Sequence, residues 1–122
     1  MDSRISPVAI VDDDTAVLDS LKFLLEIAGH DVATYASAAT FLDDDAVQPT
    51  CLIVDQHMPG LTGLELIARL RKIGATVPVL LITGSSSLAI AARAADLGVE
   101  RVLEKPPAES DLLDFVNAHR HG

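Results

Sequence analysis

Aromatic side chains are scarce in this 122-residue chain, which has no tryptophan, one tyrosine and three phenylalanines. A core must therefore be built from Leu, Ile, Val and Ala, which the 49% hydrophobic composition supplies. Cysteine is nearly absent. The single Cys51 has no partner for an intrachain disulfide and lies in an apolar run, where a buried thiol behaves as a small hydrophobe. Positive charge is in deficit, with 9 Lys and Arg against 18 Asp and Glu and a formal net charge of −9. Nucleic acid and anionic membranes both attract basic surfaces, so direct binding to either is not expected. No apolar run has the length of a bilayer crossing and no signal peptide precedes the first one, so a soluble cytoplasmic protein is expected. Repeats, low-complexity segments and internal linkers are also lacking, and the length suits one domain over residues 1–122.

What is present is a strict alternation. Short β-branched runs at Val8 to Val11, Asp31 to Tyr35, Cys51 to Val54, Val79 to Ile82 and Arg101 to Leu103 predict strands. Between them lie segments with helical spacing. Val17, Leu18, Leu21, Leu24, Leu25 and Ala28 form one apolar stripe, capped by Asp14 or Thr15 and stopped by Gly29. Ser37 caps a short helix through Leu42, a third helix runs from Leu64 to Gly74, an Ala-rich one from Leu88 to Leu97, and a last one from Ala108 to His119. Five strands alternating with five helices predict a parallel sheet covered on both faces. For such a chain the flavodoxin-like (βα)5 sandwich with strand order 2-1-3-4-5 is the natural arrangement.

The residues that end each strand carry the chemistry. Val11 is followed by Asp12, Asp13 and Asp14; Val54 by Asp55; Ile82 by Thr83; Leu103 by Glu104 and Lys105. In an open parallel sheet ligands bind beyond the carboxyl ends of the strands, at the switch point between strands one and three in this order. Clustered carboxylates repel unless a cation joins them, and Mg²⁺ takes a few carboxylates together with phosphate. Lys105 offers a point charge for a phosphoryl oxygen and Thr83 a hydroxyl donor, so the set reads as a phosphoryl-transfer site with a carboxylate nucleophile. Taken singly, each of these residues would be an ordinary cap, loop or surface group; their convergence outweighs that. The run Asp43 to Asp45 reads as a solvated loop, and His30, His57, His119 and His121 lack metal-ligand spacing, so their side chains read as surface or tail groups.

Four segments together resemble the response-regulator receiver domain of two-component signalling: Ile10-Val11-Asp12-Asp13, Ile53-Val54-Asp55-Gln56-His57-Met58-Pro59-Gly60 with Gly63 following, Leu81-Ile82-Thr83-Gly84, and Glu104-Lys105-Pro106. The resemblance implies that Asp55 is the phosphoacceptor, with Mg²⁺ as cofactor. It makes Asp13 a direct ligand of the ion, Asp12 a ligand through water, Asp55 a carboxylate ligand and His57 a ligand through its backbone carbonyl. It gives Lys105 the pairing with the phosphoryl group, Thr83 the role of switch hydroxyl, Gly84 the space for the phosphoryl group, and Pro106 a place where the preceding bond is often cis. The implied donor is a sensor histidine kinase. The implied output is a downstream protein or a fused domain, of the kind that precedes a helix-turn-helix module, with a phosphorylation-dependent homodimer as one form of response. No separate substrate is turned over, so the chain is not expected to be an enzyme.

Two departures stand out. Val102 occupies the place where many receivers carry Tyr or Phe, so output is expected to run through backbone movement around strand four and helix four. Pro107 stands where Phe is common. An alternative is a receiver-like interaction domain that never takes phosphate, for which Val102 is the sign. An aspartate-nucleophile phosphatase would need a second carboxylate two residues after Asp55, where His57 stands.

Overall fold

The computed structural model describes residues 6–120. Its elements alternate as expected: β1 (Val8–Val11), α1 (Thr15–Ile27), β2 (Val32–Tyr35), α2 (Ala38–Leu42), β3 (Cys51–Asp55), α3 (Gly63–Lys72), β4 (Val79–Thr83), α4 (Leu88–Asp96), β5 (Arg101–Glu104) and α5 (Glu109–Ala118). All pairings are parallel, and the sheet order is β2-β1-β3-β4-β5. The sequence places β3, β4 and β5 one residue short. Asp55 pairs with Ile82 and Thr83 with Glu104, so the polar residues still belong to the ladder because backbone pairing is indifferent to side-chain polarity. No helix of the described residues is long and apolar enough to cross a membrane.

Helix boundaries follow from local chemistry. Asp14 caps α1, accepting from the Ala16 and Val17 amides, so the charge predicted to be a cap is one. Ser37 and Ser87 cap α2 and α4 in the same way. The start of α3 is a full capping box: the Thr62 hydroxyl accepts from Glu65 N–H and the Glu65 carboxylate accepts from Thr62 N–H. Gly29, at φ 94°, ends α1 in the left-handed region that only glycine enters cheaply.

The three central strands are buried throughout, and the pleat sends alternate residues to two cores. Val8, Ile10, Cys51, Ile53, Leu80 and Ile82 pack under α1 and α5. Ala9, Val11, Leu52, Val54, Val79 and Leu81 pack with α2, α3 and α4. Both are aliphatic, as the shortage of aromatics requires; Phe115 is the one aromatic in the first core, and Tyr35 and Phe41 meet edge to face in the second. Cys51 is fully buried and its thiol is pushed up to about 11, first by burial, so it is an inert apolar group. The acidic loop is less passive than expected. Asp44 accepts the Tyr35 hydroxyl at 2.8 Å and the Ala46 amide at 3.2 Å, tying it back to β2.

Candidate functional site

The pleat that divides the core also sorts the polar residues at the carboxyl rim. Continuing the alternation, Asp12 follows Val8 and Ile10, Asp55 follows Cys51 and Ile53, and Lys105 follows Leu103, all toward the α1 and α5 side. Thr83 follows Val79 and Leu81 toward the opposite side, as does Val102. The rim is therefore divided, with charge on one side and the hydroxyl on the other.

The charged side is compact. Ligand oxygens of Asp12, Asp13 and Asp55 lie within 4.8 Å of one another. Asp12 and Asp55 are only 4% and 3% exposed, whereas Asp13 faces solvent. Lys105 Nζ stands 2.8 Å from Asp55 Oδ1. The contact is a short charge-assisted pair, and because a carboxylate oxygen carries two lone pairs the buried Oδ1 keeps acceptor capacity beyond it. The Asp55 carboxylate raises the Lys105 ammonium above its ordinary range, against a smaller desolvation effect. Burial pushes the Asp12 carboxyl up; its bond from Asp14 N–H, 2.9 Å long, draws it down, and the Asp55 charge pushes up again. One ammonium among three carboxylates leaves net negative charge. An under-satisfied buried carboxylate oxygen beside two further oxygen donors is a set that fits a hard divalent cation.

The other side is hydrogen-bonded inward. Thr83 is fully buried, and its Oγ1 donates to the Ser85 carbonyl at 3.0 Å and accepts from Ser85 N–H at 3.3 Å. His57 Nε2 lies 3.4 Å from the same Oγ1. Gly84 is beside it: a Cβ built there would meet His57 Cδ2 at 3.8 Å. The Lys105–Pro106 bond is cis, as the motif implies.

The sequence-predicted residues thus separate into two groups. Asp12, Asp13, Asp55 and Lys105 converge; Thr83 and Gly84 sit next to them and face His57 and Ser85. Three residues have roles the sequence did not disclose. The His57 ring, expected to be a free surface group, reaches Thr83. Gln56 Oε1 accepts Leu64 N–H at 2.9 Å, fastening β3 to the first turn of α3. Glu104 accepts from the Ser86 amide and hydroxyl, each at 3.4 Å. Gly63 is required by space: a Cβ there would lie 2.7 Å from the Asp55 carbonyl oxygen and 2.8 Å from Leu81 Cδ1. All four positions lie in or beside the motif segments, but the contacts made there were not visible in the sequence.

Comparison with known proteins agrees with this arrangement. Residues 8–117 match the response regulator receiver domain family. The chain is 41% identical over 113 residues to the transcriptional regulatory protein FixJ of Azorhizobium caulinodans, covering 92% of this chain and 54% of that protein. It is 34% identical to the response regulator protein TodT of Pseudomonas putida, covering 97% of this chain and 52% of that protein. The chain spans about half the length of the curated relatives it matches. A CheY-like receiver domain protein from Methanospirillum hungatei superposes with a TM-score of 0.85 at 30% identity, over 93% of this chain and 92% of that one. Full-length FixJ from B. japonicum gives 0.83 at 34% identity, over 96% of this chain and 58% of that one. The chain belongs to the response-regulator receiver domain family, a signalling domain with a phosphoacceptor role in two-component systems rather than an enzyme of the ordinary kind.

Proposed function

We propose that residues 1–122 act as one receiver unit in which Asp55 accepts a phosphoryl group from a sensor histidine kinase in a Mg²⁺-dependent reaction. The observation that carries this reading is the buried Asp55 carboxylate, paired with Lys105 at 2.8 Å yet with unused acceptor capacity inside a three-carboxylate cluster. Asp12, Asp13, the Asp55 carboxylate and the His57 carbonyl would hold the ion, whose positive charge would offset that of the carboxylates and the phosphoryl oxygens.

The remaining work falls to the chain. An Asp55 oxygen attacks phosphorus, and the phosphorus–nitrogen bond of the donor phosphohistidine breaks, the imidazole nitrogen keeping the electron pair. Lys105 exchanges part of its bond to Asp55 for a phosphoryl oxygen. Gly84, lacking a side chain, leaves room for that oxygen, and Thr83 supplies a hydroxyl once it turns from Ser85. The new charge biases a two-state loop at the ends of β4 and β5, altering the face formed by α4, β5 and α5. That face would then engage a downstream protein, a fused output domain or a second copy of the chain. The relatives named as transcriptional regulators support a role in transcriptional control.

The test is incubation with Mg²⁺ and acetyl phosphate, read by intact mass. A single acid-stable, base-labile phosphoryl adduct is expected on the native chain and not on Asp55→Asn. An equal adduct on Asp55→Asn, or none on a native chain that binds Mg²⁺, would remove Asp55 from this role.

A further inference from the structure

The hydrogen bonds around Thr83 fix more than its position. A hydroxyl has one proton and two lone pairs. Of its three partners, the Ser85 carbonyl can only accept and the Ser85 amide can only donate. The carbonyl is the nearest, at 3.0 Å, and takes the proton. The contact to His57 Nε2 at 3.4 Å is then a hydrogen bond only with the ring as donor, in its Nε2–H tautomer. All three hydrogen-bonding positions of a fully buried hydroxyl are filled.

In this state Thr83 has no proton to give to a phosphoryl oxygen on Asp55. It can do so only by leaving Ser85 and releasing His57. The His57 ring is also the aromatic group seated against Thr83 and Gly84 in this fold; β5 sets Glu104 beside Thr83 and Val102 beside Leu81, and neither has a ring.

We propose that His57 is a positioning residue, a latch whose Nε2–H holds the Thr83 hydroxyl in its resting orientation and whose release accompanies the switch. This inference rests on Asp55 as the phosphoacceptor. It assigns the ring that moves with the threonine to the β3–α3 connection rather than to β5. The same residue would then offer its backbone carbonyl to the ion and its side chain to the switch, so that events at Asp55 reach Thr83 through a residue two positions along the chain and its imidazole. A single neutral hydrogen bond of this length shifts such an equilibrium by roughly two- to tenfold.

The measurement is the χ1 rotamer population of Thr83, from three-bond couplings to its methyl carbon, in the unphosphorylated chain. Native protein, His57→Ala and His57→Gln are compared; the glutamine amide can donate where the ring did. His57→Ala is expected to raise the minor Thr83 rotamer by roughly two- to tenfold, and His57→Gln to restore most of the native ratio. An unchanged Thr83 ratio in His57→Ala overturns the latch. A change that His57→Gln fails to restore also overturns it, since the ring would then act by bulk alone. Adduct formation with acetyl phosphate is read separately by intact mass on the same samples. Loss of the adduct in native protein would remove the Asp55 reading while leaving the rotamer result to judge the latch.

Discussion

Helices α3 and α4 lie on the same side of the sheet, each following a strand that ends in a site residue, yet they are held very differently. α3 buries Gly63, Leu64, Leu66, Ile67 and Leu70, starts with a capping box, and is fastened to β3 through Gln56. α4 buries only Ala94, while Leu88 in its first turn is 90% exposed. The first helix holds the end of β3 that carries Asp55; the second, which follows Thr83, is seated by far less buried surface. A switch needs both. The reacting groups must be pre-positioned to within ångströms, and the reporting element must be cheap to displace. Ala-rich α4 achieves the latter because alanine favours a helix without supplying much apolar area to anchor it.

The contrast is open to direct challenge. Leu66 is fully buried, so Leu66→Ala is expected to lower unfolding free energy by roughly 2–5 kcal/mol in denaturant titration. Leu88→Ala, on the exposed turn of α4, is expected to change it by about 0.5 kcal/mol or less. Similar losses for the two would mean that α4 is as firmly packed as α3. A finer test uses the caps. Thr62→Ala is expected to cost about 1 kcal/mol of global stability. Ser87→Ala removes the bond to Ile90 N–H and is expected to appear chiefly as faster hydrogen exchange of α4 amides, with little change in the global transition.

An effect confined to alkaline pH concerns the reach of the firm half across β2. Burial, then the Asp44 bond, pushes the Tyr35 phenol up from 10.0 to about 12. Between those values the folded chain keeps a proton that the unfolded chain has lost, so stability falls as pH rises through that window and is intact below it. Tyr35→Phe is expected to flatten this alkaline limb in thermal melts taken at successive pH values. An unchanged limb would show that Tyr35 is not held by the Asp44 loop.

Much of the fold was legible in the sequence because it rests on periodic patterns. The continuous apolar runs of β1, β3 and β4, the stripe of α1 and the stops at Gly29 and Gly74 name the elements and their order. The motif residues at strand ends then bring Asp12, Asp13, Asp55 and Lys105 to one rim. Strand ends were placed a residue short because polarity was taken as the end of pairing, whereas the ladder extends through Asp55 and Thr83. The cap at Thr62 was missed among loop residues, although the Thr-x-x-Glu spacing was available.

By itself, the sequence determined the alternating α/β order, the aliphatic core and the identity of the acidic rim, since each depends on residue type at fixed local spacing. Only the tertiary structure decided that Thr83 faces away from the carboxylates, that the His57 ring reaches it, that Gly63 lies against the Asp55 carbonyl, and that α4 is loosely seated. Those contacts join segments 8 to 26 positions apart. They depend on strand register and on which side of the pleat a residue falls, and no local pattern encodes the distance between two loops until the sheet that carries them has formed.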